Sequence, residues 1–197
     1  MAEGNCADAY ALEGRLDEAI AGFRSSLRTS LDRGMVEQQP HAATGLARAL
    51  LMKDPTQRDE VAELAELLDR LAVSGDVDTR RRALTTRAML ASVRGQDGRM
   101  LDFAKHAMRL GDRVRHQAGA FATPLEACWI AALAARRLGD ETEAAVNRGR
   151  ALGLIARVAR ALPGPSERSS LHHGHPIHRA VLAGEWTPAP GWTWDPA

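Results

Sequence analysis

The sequence predicts an all-α protein, with antiparallel helix pairs stacked as an α-solenoid of about eight main helices plus a short helical C-terminal cap. Three observations lead there. Aromatic residues make up 4% of the chain and apolar residues 45%. The core is therefore built from Ala, Leu, Val and Met, which pack helices closely and suit strands less well. No run of alternating β-branched residues occurs anywhere. Gly and Pro cut residues 1–162 into amphipathic, helix-length pieces whose pairs recur at about 35 to 40 residues, and each pair buries its apolar face on the next.

Each element follows from local signals. A first helix runs from Asn5 to Glu13 and ends at Gly14; a second runs from Leu16 to Asp32 and stops at Gly34. A third spans Gln39 to Met52. Asp54-Pro55 opens the fourth, with Asp54 as N-cap, Pro55 at N1 and Gln57 at N3. Val61, Leu64, Leu68 and Leu71 then keep helical spacing until Ser74-Gly75. The fifth covers Val77 to Arg94 and is broken by Gly95 and Gly98. The sixth carries Met100, Phe103, Ala107 and Leu110. Thr123-Pro124-Leu125-Glu126 reads as a capping box and starts the seventh, which ends at Leu138-Gly139. The eighth runs from Glu141 to Ala161, and Pro163-Gly164-Pro165 closes the series.

Residues 163–197 are a different kind of sequence, with six of the nine prolines and three of the four tryptophans. A short helix from Ser166 to His173, capped by Ser166, and another opened by Pro176 and ended by Gly184 are expected there. The last repeat of a solenoid exposes an apolar face. Leu171, Ile177, Val181, Leu182 and Trp186 are the residues to cover it, with Trp192 and Trp194 adding to the contact.

Composition excludes several functions. Twenty-six basic and 25 acidic side chains leave a net charge of +1, without the global basic field that nucleic acid requires. No apolar run approaches membrane-spanning length, and the start MAEGNCADAY lacks a secretory pattern. A cytoplasmic protein that binds neither nucleic acid nor membrane is expected. Heavy use of Ala and Arg points to a GC-rich bacterial genome. Cys6 and Cys128 form no disulfide framework and read as small buried thiols in apolar helices.

The stretch AYALEGRLDEAIAGF resembles a tetratricopeptide repeat through Ala7, Tyr10, Gly14, Ala19 and Phe23. LGDETEAAVNRGRAL is similar through Gly139, Ala144 and Ala151, with Arg148 where the family has an aromatic. GRMLDFAKHA keeps a Gly-Arg turn at Gly98 and Arg99 in a shifted register, and residues 39–73 match in helix length and apolar pattern. The resemblance covers about residues 3–162. It implies a right-handed solenoid like the C-terminal repeat regions of large bacterial kinase or ATPase signalling proteins. It also implies a non-enzymatic module that holds a peptide or protein surface in the concave groove lined by the first helix of each pair. The lining helices would be 39–52, 77–94 and 121–138, with Arg48, Arg80, Arg87 and Arg136 as contacts. The start within a first helix fits a piece of such an array, and a stand-alone protein fits equally.

The segment LHHGHPIHR supports a second reading. His172, His175 and His178 are candidate ligands for zinc or nickel, or a pH-sensing cluster. Gly174 and Pro176 interrupt the helix that would align them, so structural or exposed histidines are the plainer expectation. Arg80-Arg81-Arg82 with Arg87 and Arg94 forms a basic stripe suited to an acidic peptide or phosphate, or else a solvated face. No nucleophile elbow, zinc-protease motif, phosphate loop or paired-cysteine motif is present, so neither catalysis nor a cofactor is expected.

Overall fold

The computed structural model describes residues 2–54, 58–112, 122–173, 176–184 and 186. These form the helices α1 (Ala2–Leu12), α2 (Leu16–Asp32), α3 (Gln39–Lys53), α4 (Arg58–Ser74), α5 (Val77–Val93), α6 (Asp97–Asp112), α7 (Ala122–Arg137), α8 (Glu141–Ala161), α9 (Pro165–His173) and α10 (Pro176–Ala183). No strand occurs among the described residues. Each helix packs on its neighbours in the chain.

The turn chemistry explains where helices stop. After α1, α5 and α7 the chain passes through a left-handed glycine, at Gly14, Gly95 and Gly139. Each is followed by the same backbone bond, from Arg15 to Tyr10, Gln96 to Ala91 and Asp140 to Ala135, at 2.9 Å in all three. This is the Schellman termination, which needs positive φ and therefore favours glycine. Seven residues before each glycine stands a fully buried alanine, Ala7, Ala88 or Ala132. Five residues after each stands Ala19, Met100 or Ala144, all buried. The turn residue of the third pair is therefore Gly95. Gly98, read from sequence as a breaker and as the turn glycine, sits in the first turn of α6, and the left-handed turn is at Gly95.

Other signals resolve differently. Asp76 caps α5, accepting from the amides of Asp78 at 2.8 Å and Thr79 at 3.0 Å, and Asp140 caps α8 through the Glu143 amide at 2.9 Å. Asp54 follows α3, its amide bonding the Leu50 carbonyl at 3.0 Å; the N-cap role expected for it falls on Pro55 to Gln57, which lie outside the described residues. Ser166 lies inside α9, which starts at Pro165. Thr123 lies inside α7 with its side chain outside the described residues, where the expected capping box also falls, and Glu126 is buried and paired with Arg48 of α3.

The helices are not all one-sided. In α7 every residue from Leu125 to Ala135 is buried, and α5 is buried from Ala83 to Val93 except at Arg87. Each of these helices has four neighbours: α5 touches α3, α4, α6 and α7, and α7 touches α5, α6, α8 and α10. A helix enclosed on all sides needs no polar face, and ACWIAALAA in α7 has none. The first helices touch in succession, α1 to α3 to α5 to α7, whereas α2, α4, α6 and α8 make no such contacts with one another among the described residues. Side chains bridge some of those gaps, through Arg24–Glu60 at 2.5 Å between α2 and α4 and Lys105–Glu143 at 3.2 Å between α6 and α8.

Candidate partner-binding site

The four arginines expected as partner contacts do not converge. Arg48 on α3 reaches across to Glu126 on α7. The pair joins two helices that both pack on α5, so it spans the first-helix face. The Glu126 side chain is 4% exposed and its Oε2 has no hydrogen-bond partner. Buried carboxylate atoms of this kind are costly, and the arginine offsets only part of that cost.

Arg80 and Arg87 turn the other way. Arg80 Nε donates to the Ala72 carbonyl of α4 at 3.1 Å. Arg87 Nε lies 2.9 Å from Asp69 Oδ1 of α4. That contact is off the N–H direction, since Nε makes no aligned hydrogen bond, so it acts through charge. The Arg87 guanidinium also stands 5.3 Å from the centroid of the Phe103 ring on α6. Burial lowers the Arg87 pKa against the pull of Asp69, and Arg94 and Arg99 lower it further. The stripe read from the sequence is thus split over several faces of α5: Arg81 is buried and paired with Asp78, and Arg82 Nε meets Asp78 at 2.8 Å.

Arg136 belongs to the C-terminal region. Its guanidinium lies 4.6 Å from the Trp186 ring centroid, and Trp186 stacks on Trp129 at 5.6 Å with 22° between the ring planes. Arg136 Nε is 4.0 Å from Glu141 across the α7–α8 turn. Ile177 and Val181 are buried, Leu171 and Trp186 pack on the core, and Leu182 is exposed. Trp192 and Trp194 lie outside the described residues.

Of the histidines, His178 is buried, with Nδ1 2.5 Å from the Leu171 carbonyl. This contact ties α10 to α9. His172 is half-buried, and His175 lies outside the described residues. Among the described residues no group of three or more His, Cys, Asp or Glu side chains is placed to hold a metal ion. No described helix is long and apolar enough to cross a membrane. Cys128 is buried and Cys6 exposed, both as free thiols.

Sequence reasoning misses two features. Arg148 reads in the sequence only as a departure from the family pattern. Its Nη2 and Nε donate to the Val181 carbonyl of α10 at 3.1 and 3.3 Å. His41 packs edge-on to Phe23 at 6.0 Å and faces Asp8 at 3.0 Å, joining α3 to α1 and α2. An arginine in an aromatic's place is the available signal for the first; the isolated His41 offers none. In comparison with known proteins, no family model, no curated protein and no solved structure matches the chain.

Proposed function

We propose that this chain is a non-enzymatic protein–protein interaction module: a tetratricopeptide-like, right-handed α-solenoid of antiparallel helix pairs that binds a peptide or protein surface along its first helices. One observation carries the proposal, the asymmetry of helix contacts. First helices touch in succession and, among the described residues, second helices do not, as expected when pairs stack with a curvature that gathers the first helices on the inside. The recurrence of the turn glycine with buried alanines at fixed offsets supports the same repeat. In this architecture α10 takes the place of a next first helix, since it touches both α7 and α8 as α3 touches α1 and α2. The C-terminal segment is then the cap of the array.

Of the four arginines, Arg48 remains the contact proposed for the inner face, and Arg80 and Arg87 belong to the opposite side of α5. Affinity capture from the host lysate at low and high salt, with mass spectrometry of retained proteins, tests the function. A near-stoichiometric partner whose affinity falls with Arg48→Ala and with salt is expected. A protein that retains nothing, or a partner indifferent to Arg48, would overturn the assignment.

A further inference from the structure

α4 and α6 both pack on α5 and, among the described residues, do not touch each other. The strip of α5 between them floors a shallow cleft, which side chains close over Ala83 to Val93 except at Arg87. Arg80, Arg87 and Arg94 recur along that helix at seven-residue intervals, about 10.5 Å apart along the axis. The first two face the cleft through their contacts with Ala72, Asp69 and Phe103. On α6 the series continues with Arg99, His106 and Arg109. These groups feel one another's charge. Arg94 and Arg99 act on Arg87, and the His106 pKa is lowered by burial first and then by Arg109 and Arg80.

The opposing charge consists of Asp69, engaged by Arg87, exposed Glu66 one turn before it on α4, and Asp102, exposed between Arg99 and His106. Arg94, Arg99 and Arg109 have no ion-pair partner among the described residues. The neighbouring gaps differ: α2–α4 and α6–α8 are each bridged by an acid–base pair, and no described pair bridges α4 to α6. The rim also offers apolar surface, with Phe103 half-buried and Val73 78% exposed beside Ala72.

We propose that the α4–α6 cleft is a docking surface for an acidic protein segment carrying an apolar anchor, such as a helix with carboxylates at seven-residue spacing. Cations without an ion-pair partner among the described residues, held in one another's field, are relieved by a ligand that brings carboxylates in the same repeat. Nucleic acid fits less well. The α5 row extends about 21 Å, a phosphate backbone has no use for Val73 and Phe103, and the chain as a whole carries a net charge of only +1. This surface lies on the opposite side of α5 from the first-helix face and does not depend on it.

The test is fluorescence anisotropy with three labelled probes: a helical peptide of about 16 residues with Glu at every seventh position and one Leu, its Lys counterpart, and a DNA duplex of about 16 base pairs. The full chain is compared with Arg94→Gln/Arg99→Gln/Arg109→Gln, with the single change Arg99→Glu, and with Arg48→Ala. The acidic peptide is expected to bind in preference to both other probes, to weaken with salt, and to lose roughly tenfold in affinity in the triple variant. Arg99→Glu, an exposed single change, should move affinity the same way, and Arg48→Ala should leave it unchanged. Equal binding of the Glu and Lys peptides, unchanged binding by the triple variant or by Arg99→Glu, or tighter binding of the duplex would overturn the proposal. Loss through Arg48→Ala instead would assign the peptide to the first-helix face and overturn it equally.

Discussion

Phe23 and Arg148 stand at the same place in their helix pairs, nine residues after the turn glycines Gly14 and Gly139, and they do opposite things. Phe23 is 2% exposed and fills a notch in α3, where a Cβ on Gly45 would run into the ring. Arg148 is half-buried and meets α10 with hydrogen bonds to the Val181 carbonyl. The difference follows from what comes next in each stack. α3 is a 15-residue helix that presents a side-chain surface, and an aromatic ring buries apolar area against it. α10 has eight residues and ends on Gly184, with φ +71°, so the arginine meets its last turn. The carbonyls of that turn lack helical partners, and a cation satisfies them while complementing the negative end of the helix. One position thus serves two kinds of junction, a packed one between α2 and α3 and a hydrogen-bonded one between α8 and α10.

The packed junction should be the costlier to break. Phe23→Ala removes the ring from between α2 and α3 and is expected to lower stability by about 3–4 kcal/mol in urea unfolding. Gly45→Val should destabilise by about 2 kcal/mol or more through overpacking on Phe23. Combining the two tests the contact directly: the double variant should be less destabilised than the sum, because the side chain added on α3 occupies part of the space the ring leaves. Strict additivity would show that the two residues do not share a notch.

The hydrogen-bonded junction should break locally. Arg148→Ala is expected to cost about 1–2 kcal/mol, with faster amide exchange confined to α9 and α10. Exchange that rises equally in α7 and α8 would mean that Arg148 supports those helices and not α9 and α10 alone. Trp186→Ala should cost about 1 kcal/mol, since the ring is only half-buried though it stacks on Trp129 and carries Arg136. A Trp129 emission that does not shift in that variant would argue against the stacked pair.

The packed junction is readable in the sequence and the hydrogen-bonded one is not. Gly14, Ala19 and Phe23 form a local pattern whose parts act within one pair of helices, so spacing reveals them. The boundaries of α2 and α8 follow from the same kind of local signal. Arg148 acts on a carbonyl 33 positions away: an arginine in an aromatic's place marks the position, and nothing near it in sequence names the partner. The same limit explains Glu126. Its position after Thr123-Pro124 suits a capping box, but Arg48 on α3 lies 78 residues away and claims the carboxylate. The arginines of α5 look like one stripe because spacing alone does not say which helix each face meets. Gly98 looks like the turn because an Arg follows it as one follows Gly14, whereas the turn is decided by which glycine completes the 2.9 Å bond from Gln96 to Ala91.

The smallest effect is one of pH, within the helix α8 that carries Arg148. Glu143 lies on α8 just before Arg148, and its pKa is lowered from the ordinary 4.5, first by the hydrogen bond from Asn147 and then by that from Lys105. Asn147 is fully buried and donates to Glu143 Oε1 at 2.8 Å. A carboxylate with a depressed folded-state pKa contributes stability that is present above its unfolded pKa and lost as pH falls through the folded value. The C-terminal pair should therefore lose this increment below about pH 4.5, whereas the Phe23–Gly45 contact has no charge to titrate. Glu143→Gln keeps an acceptor for Asn147 but gives up the charge that meets Lys105. It should cost about 0.3–0.5 kcal/mol at neutral pH and nothing in acid, where the parent glutamate is itself protonated. Carbon-detected NMR titration of Glu143 gives the complementary readout. Its midpoint should lie below that of an exposed glutamate and rise in Asn147→Ala, because the first of its two donors is gone. A midpoint unmoved by that change would place the cause in Lys105 and make the contact an α6–α8 charge pair rather than a feature of the α8 turn.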